Sequence, residues 1–179
     1  MKLMDLAAVG VEANVGAPIV VLREHDEPHR LLPIFVGAPE ADAIAMAATG
    51  QETERPMSHD LMAMLLLQLG GRLTAVEVTG MDEGTFVAEL KIETSTDQRR
   101  VDARPSDAIA LAVRLDAPVF VSDDVLDEMG ALPLVAENVP DQTTIDEEVS
   151  DFRAFLDDLD PARFGLDDPD AGPETDGQS

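Results

Sequence analysis

Strand-type and helix-type runs alternate along this sequence in an order that restricts the folds it can adopt. Three β-type runs come first, followed by two helical runs, three more β-type runs, a helix, a short strand and a last helix. Residues 85–92 alternate between two faces, one of them wholly apolar, which is typical of a strand with one buried side. Hairpins combined with separate helices predict an α+β fold, with a mixed or antiparallel sheet that contains a β-meander.

Prolines and a serine mark where the main helices begin. Pro39 and Pro105 each stand at an early helical position after a strand, and Ser58 is a suitable N-cap for the helix between them. Residues 61–69 are apolar on almost every side, which predicts a central, buried helix with the other helices around it. We therefore expect a single domain over residues 1–136.

The end of the chain differs from the rest in composition. Residues 137–165 are expected to form a linker and an amphipathic helix that docks on the body or on a partner chain. Residues 166–179 are acidic and rich in glycine and proline, which predicts a disordered tail. The apolar stripe of the expected helix consists of Ile145, Val149, Phe152, Leu156 and Leu159.

The charge balance is strongly acidic, with a net charge of −25 from 37 acidic and 12 basic residues. A protein that binds nucleic-acid backbone normally has a basic face, and this sequence shows none. An acidic surface also suits solubility in a salty cytoplasm, so both interpretations stay open. The chain has no cysteine, which excludes disulfide and thiolate chemistry, and no apolar run is long enough to cross a bilayer. Since the N-terminus lacks the pattern of a secretory signal, we expect a cytoplasmic protein without membrane partners.

The first segment with potential chemistry is residues 101–112, where a strand gives way to a helix. Arg104 stands at the junction, beside helix amides that lack partners and carry partial positive charge, which suits a phosphate. Asp102 and Asp107 are candidate ligands of a divalent cation. In the structural alternative Asp107 favours the helix dipole, Ser106 caps the helix and Arg104 neutralises Asp102.

Two further segments lie at other helix starts. His59 is a candidate general acid or base near neutral pH, and Asp60 beside it is a candidate catalytic carboxylate or metal ligand. Capping of the helix and packing at its edge is the alternative role of both. Glu40 and Asp42 open a helix whose other face is alanine, where they either ligate Mg²⁺ or solvate the helix end.

At these segments the sequence resembles the bifunctional nuclease family, long known as domain of unknown function 151. The resemblance covers residues 3–165 and is carried by residues 32–37, 55–61 and, most specifically, 101–112 with the sequence VDARPSDAIALA. It implies an α+β fold, a homo-oligomer, for which a dimer is favoured, and a nuclease that acts on both DNA and RNA.

The leading hypothesis is a metal-assisted phosphodiesterase without an organic cofactor. Mg²⁺ or Mn²⁺ would polarise the phosphate and activate water, while a cationic side chain stabilises charge on the phosphoryl oxygens. This requires the helix starts near residues 39, 59 and 105 to converge. The alternative is a non-catalytic oligomeric scaffold or regulatory module, in which the same residues form a closed ion network. The predicted metal ligands are Glu40, Asp42, Asp102 and Asp107, and the predicted catalytic residues are His59, Asp60, Arg104 and Ser106.

Overall fold

The computed structural model describes residues 1–12 and 16–132, so the predicted linker, amphipathic helix and tail over residues 137–179 lie outside the described residues. The described part contains seven strands and four helices, in the order that the sequence predicts. The strands are β1 (Lys2–Val11), β2 (Pro18–Glu24), β3 (Leu31–Phe35), β4 (Arg72–Asp82), β5 (Thr85–Glu93), β6 (Gln98–Ala103) and β7 (Val119–Val121). The helices are α1 (Ala38–Ala48), α2 (Ser58–Gln68), α3 (Pro105–Leu115) and α4 (Asp123–Met129).

The strands form one mixed sheet in the order β3-β2-β1-β7-β4-β5-β6. All neighbours are antiparallel except β4 and β7, which are parallel. Strands β4, β5 and β6 form the predicted meander. The β4–β5 hairpin turns at Glu83 and Gly84, whose φ angles of 47° and 81° suit a two-residue turn that follows the twist of the strands. The α+β class predicted from the sequence is confirmed.

The helix at the centre of the fold is α3, and the prediction that residues 61–69 form the buried central helix is wrong. Seven of the eleven residues of α3 are buried, since it packs against α1, α2, β4 and β5. Ala108, Ala110 and Ala112 let these elements approach its backbone closely. In α2 only His59 and Ala63 are buried; Leu66 packs partly against the core, and the other large apolar side chains of the helix are exposed.

Strand β3 lies at one edge of the sheet and is covered on one face only. Its five residues are apolar, which predicts burial on both faces, but the structure contradicts this for Pro33 and Phe35. Leu32 and Ile34 face the helices and are buried, while Phe35 is 59% exposed. Among the described residues, no helix has the length and apolar character needed to span a membrane.

Candidate active site

The starts of three helices meet around one arginine. Arg104 is the N-cap of α3, and its guanidinium contacts Glu40 in the first turn of α1 and Asp107 in the first turn of α3. Asp107 in turn contacts His59, the second residue of α2. The helix starts near residues 39, 59 and 105, far apart in sequence, therefore come together in space. The residues Glu40, His59, Arg104 and Asp107 are called the helix-start cluster below.

The guanidinium of Arg104 binds Asp107 through two parallel hydrogen bonds. Its Nε donates to Asp107 Oδ2 at 2.7 Å, and its Nη2 donates to Oδ1 at 3.1 Å. The same Nη2 donates to Glu40 Oε1 at 3.0 Å. These charged contacts raise the pKa of Arg104, first through the hydrogen bond to Asp107, so it stays a cation at any physiological pH. The side chain of Arg104 is 66% exposed, so the cluster faces an open cleft.

His59 is held in place by Asp107. Its Nε2 lies 3.0 Å from Asp107 Oδ1, and its side chain is only 10% exposed. Burial opposes ionisation of Asp107, but the hydrogen bonds from Arg104 and His59 outweigh that effect and lower the pKa of this carboxyl group. An ionised Asp107 favours the tautomer with a proton on Nε2. The other ring nitrogen, Nδ1, is then the one that can exchange a proton.

The carboxylate of Glu40 folds back over Gly37, the N-cap of α1. A Cβ atom at position 37 would overlap with Glu40 Oε2, so only glycine leaves room for this side-chain position. The backbone angles of Gly37, φ −73° and ψ 156°, are accessible to any residue. Gly37 is therefore needed for the space it leaves, and sequence reasoning missed it because this role depends on the Glu40 conformation.

The helix-start cluster lines a cavity of about 330 Å³ together with Pro39, Ala43, Met57, Ser58 and Met62. Ser106 lines a second cavity, on the other side of Arg104, with a volume of about 400 Å³. Arg104 lines both cavities; Glu40, His59 and Asp107 line the first, and no acidic residue is among those that line the second. An anion bound by Arg104 in this region would lie close to His59, which can accept or donate a proton.

Asp60 lies outside this cluster and pairs with α3 instead. Its Oδ1 accepts a hydrogen bond from Arg114 Nε at 2.5 Å, and its Oδ2 accepts one from the backbone N–H of Met57 at 2.9 Å. The Arg114 hydrogen bond and then the Met57 amide lower the pKa of Asp60. Asp60 thus caps α2 and connects it to α3, which matches the structural alternative considered for it.

The four predicted metal-binding carboxylates do not lie together. Asp102 is in register with Glu89 of β5, on the sheet face opposite to the helices, whereas its neighbour Ala103 faces α3 with Ala88. Asp42 is exposed on α1 and does not line either cavity. Only Glu40 and Asp107 remain beside Arg104. Among residues 1–12 and 16–132, no three histidine or acidic side chains are grouped so that they could hold a metal ion.

Comparison with known proteins identifies relatives over most of the chain. A model of the bifunctional nuclease domain matches residues 20–133, which include the helix-start cluster. An uncharacterized protein of Mycobacterium tuberculosis is 37% identical over 161 residues, which cover 89% of this chain and 95% of that protein.

Plant proteins that carry the family name are more distant. Bifunctional nuclease 1 of Arabidopsis thaliana is 30% identical over 108 residues, which cover 59% of this chain and 33% of the plant protein. Bifunctional nuclease 2 of Oryza sativa subsp. japonica is 28% identical over 114 residues, 62% of this chain and 35% of that protein. The domain match spans more than half of the sequence, from within β2 to the end of α4. The chain therefore belongs to the bifunctional nuclease family.

Proposed function

We propose that this chain is a phosphodiesterase that cleaves DNA and RNA at the helix-start cluster. The observation that carries the proposal is the convergence of three helix starts on Arg104, which places a histidine, two carboxylates and a guanidinium at one open cavity. Helix N-termini favour anions, and a guanidinium recognises phosphate oxygens well. The family membership supports the same reaction class, since plant relatives are named bifunctional nucleases.

The residues suggest how hydrolysis would proceed. A water oxygen forms a bond to phosphorus while the bond from phosphorus to the leaving sugar oxygen breaks. His59 Nδ1 accepts the proton that the water loses, and the leaving oxygen takes a proton from solvent. Asp107 orients the imidazole through Nε2 and stabilises its protonated form. Since Glu40 and Asp107 use Nε and Nη2 of Arg104, Nη1 is left to donate to the phosphoryl oxygens as charge develops there.

The charge of the cluster motivates a cation requirement. Glu40 and Asp107 together exceed the single positive charge of Arg104, and a bound phosphate adds further negative charge. Mg²⁺ or Mn²⁺ would neutralise this excess, and Glu40 and Asp107 are the carboxylates that would hold it. This metal stays a prediction, and the described residues supply two carboxylates rather than a complete site.

A scaffold or regulatory module is the second candidate function. It is favoured by the exposed apolar side of α2, but the cluster itself supports the enzyme. A scaffold would bury Arg104, Asp102 and Asp107 as a closed ion network. Instead, Asp102 lies on the far face of the sheet, and Arg104 is largely exposed to a cavity.

The test is cleavage of labelled single- and double-stranded DNA and RNA with Mg²⁺, Mn²⁺ or EDTA, at low and high salt. Asp107→Ala is compared with Asp102→Ala, a matched loss of one carboxylate from the same motif. We expect Asp107→Ala to lower cleavage by about 10²–10⁴-fold and Asp102→Ala to leave it unchanged, with circular dichroism showing that both fold. Equal cleavage by the parent and Asp107→Ala would place the activity elsewhere. The absence of cleavage under every condition would refute the nuclease and favour the scaffold.

We also propose that the chain, as a cytoplasmic protein, forms a homodimer through the apolar face of α2. Leu61, Met64 and Leu65 lie one helical turn or less apart on its outward side, each about half exposed. Together with Leu67 and with Leu69 at the C-cap, they present on the order of 500 Å² of mostly apolar surface, about two thirds of the roughly 800 Å² per partner of a standard interface.

A second copy suits this face better than a charged partner. Asp60, the only acidic residue of α2, is paired with Arg114, and His59 is buried, so neither leaves a free charge on this face. Two copies related by a twofold axis would pack the same apolar face of α2 against each other. In a chain with a net charge of −25, a face without charges is also where two copies can meet with least repulsion.

A further inference from the structure

A second cavity beside Arg104, lined by no other member of the helix-start cluster, has the features of a ligand site. It lies between the end of β3, the β4–β5 turn and the start of α3, and its volume is about 400 Å³, within the roughly 300–1,000 Å³ of small-ligand sites. Arg104 is the charged residue of its lining. The cavity is called the nucleotide cavity below.

Ser106 gives this cavity an unused hydrogen-bonding group. The residue is only 7% exposed, and its hydroxyl has no hydrogen-bond partner among the residues that the structure describes. Fully buried side-chain nitrogen and oxygen atoms in the same part of the chain all have partners. The Ser106 hydroxyl must therefore retain access to the cavity that the residue lines. Because no protein group in the described part of the chain engages this hydroxyl, it can donate or accept a hydrogen bond to a molecule in the cavity.

The start of α3 adds further donors beside this hydroxyl. The helix has eleven residues, its N-cap side chain does not cap it, and its first backbone bond runs from Ala108 N to Arg104 O. The amides of Ser106 and Asp107 precede that bond and carry the partial positive charge of the helix N-terminus. Hydroxyl, amides and guanidinium at one place form a donor set for a tetrahedral anion such as phosphate.

The rest of the cavity is apolar and partly aromatic. Phe35 and Phe86, two of the six phenylalanines of the chain, line it, and Phe35 is 59% exposed although it stands at the end of a strand. Thr85 and Gly84 of the facing turn line it as well, and Gly84 leaves space because it has no side chain. A flat apolar group next to a phosphate is what a nucleotide offers, and bases stack readily on aromatic rings.

We propose that the nucleotide cavity binds one nucleotide of the substrate, with its phosphate at Arg104, Ser106 and the α3 start and its base against Phe35 and Phe86. This inference rests on the proposed function and adds a substrate preference to it. A base inside a duplex is stacked and paired, so it enters only after unstacking. The enzyme therefore prefers single strands and strand ends.

The test is equilibrium binding of adenosine 5′-monophosphate, adenosine and inorganic phosphate by calorimetry, at low salt and in EDTA. We expect adenosine 5′-monophosphate to bind at least tenfold more tightly than adenosine. Ser106→Ala should weaken the monophosphate by about fivefold and leave adenosine unchanged, whereas Phe35→Ala should weaken both. Thr96→Ala, in the exposed β5–β6 turn, is the matched control and should bind like the parent.

This experiment separates the cavity from the reaction, because a mononucleotide has no phosphodiester bond to cleave. Monophosphate binding that Ser106→Ala and Phe35→Ala leave intact would overturn the inference, and so would the absence of binding. If the protein binds the monophosphate through these residues but cleaves no nucleic acid, the proposal for the cavity stands and the proposed nuclease activity is refuted. If the protein cleaves nucleic acid and neither variant changes its KM for single strands, the proposed nuclease activity stands and the proposal for the cavity is refuted.

Discussion

Gly37→Ala should lower activity only by displacing the Glu40 side chain. The new methyl group would overlap with Glu40 Oε2, the far end of a flexible side chain, so the carboxylate can rotate away while the backbone stays in place. The hydrogen bond between Glu40 Oε1 and Arg104 Nη2, 3.0 Å long, is then lost. Since that bond helps to hold the guanidinium beside the cavity, we expect kcat/KM for labelled oligonucleotides to fall by about tenfold.

The stability cost of Gly37→Ala should be small. The angles of Gly37 suit alanine, and replacing glycine by alanine at an N-cap costs about 0.5–1 kcal/mol, or roughly 2–4 °C in Tm for a domain of this size. Loss of the ion pair adds little, because the Arg104 side chain is 66% exposed. Gly80→Ala is the matched control, since a methyl group there meets no atom within 4 Å, and it should leave activity unchanged.

A double-mutant cycle with Glu40→Ala decides whether the reasoning holds. Once the Glu40 carboxylate is gone, the methyl group at position 37 meets nothing closer than Pro39 Cδ at 3.7 Å. Adding Gly37→Ala to Glu40→Ala should therefore lower activity no further. If the two factors multiply instead, Gly37 acts on something other than Glu40, and the close approach described above is not its role.

Three further predictions concern assembly, pH and salt. Leu65→Glu should convert the proposed dimer to a monomer in light scattering without unfolding it, since Leu65 is 51% exposed, while Val11→Glu on β1 should not. A monomeric parent would refute the α2 interface. Asp60 and Asp107 have lowered pKa values in the folded state, so the unfolded state binds protons first. Their stabilisation is complete above the ordinary value of 3.8 and is lost as pH falls further, and Asp60→Asn should reduce this acid-induced loss of Tm. Cleavage should depend only weakly on salt, because salt weakens a single phosphate contact but also screens the repulsion between two acidic molecules, and a steep decline would indicate a basic face elsewhere.

The order of the elements and the bounds of several of them could be predicted because they depend on local pattern, but β1 was expected over residues 9–14 and instead spans Lys2–Val11. Strand β6 and helix α4 begin and end at the residues that their composition and the flanking turn-forming residues predict. Burial could not be predicted from the same pattern for α2. A helix that is apolar on all sides is either surrounded by its own chain or keeps one side for another molecule, and periodicity does not distinguish these cases. The alanine-rich α3 lies at the centre of the fold because its small side chains allow close packing on several sides.

The four residues of the helix-start cluster were named as candidates because they lie at helix starts, but their grouping depends on the tertiary fold, and their roles stay predictions. Glu40, His59, Arg104 and Asp107 were all identified as polar groups at such starts, and the structure brings them together. Asp102 was expected beside Arg104 because the two are close in sequence. Successive residues of β6 point to opposite faces of the sheet, however, and Asp102 lies on the face away from the helices. The nucleotide cavity could not be found from sequence, since it joins β3 to the β4–β5 turn, which lie in opposite halves of the sheet.

The acidity of the chain and the proposed binding of an anionic substrate are compatible because of where the charges lie. Long-range repulsion is screened within about 8 Å at physiological ionic strength, so the net charge of −25 slows encounter more than it weakens a bound phosphate. At the site itself, Arg104 engages both neighbouring carboxylates on one side, and the other side is lined by a hydroxyl, apolar groups and the start of α3. A phosphate there meets donors and no carboxylate of the cavity lining. Recognition of single nucleotides in a local pocket therefore suits this chain better than the broad backbone contact that a basic surface provides.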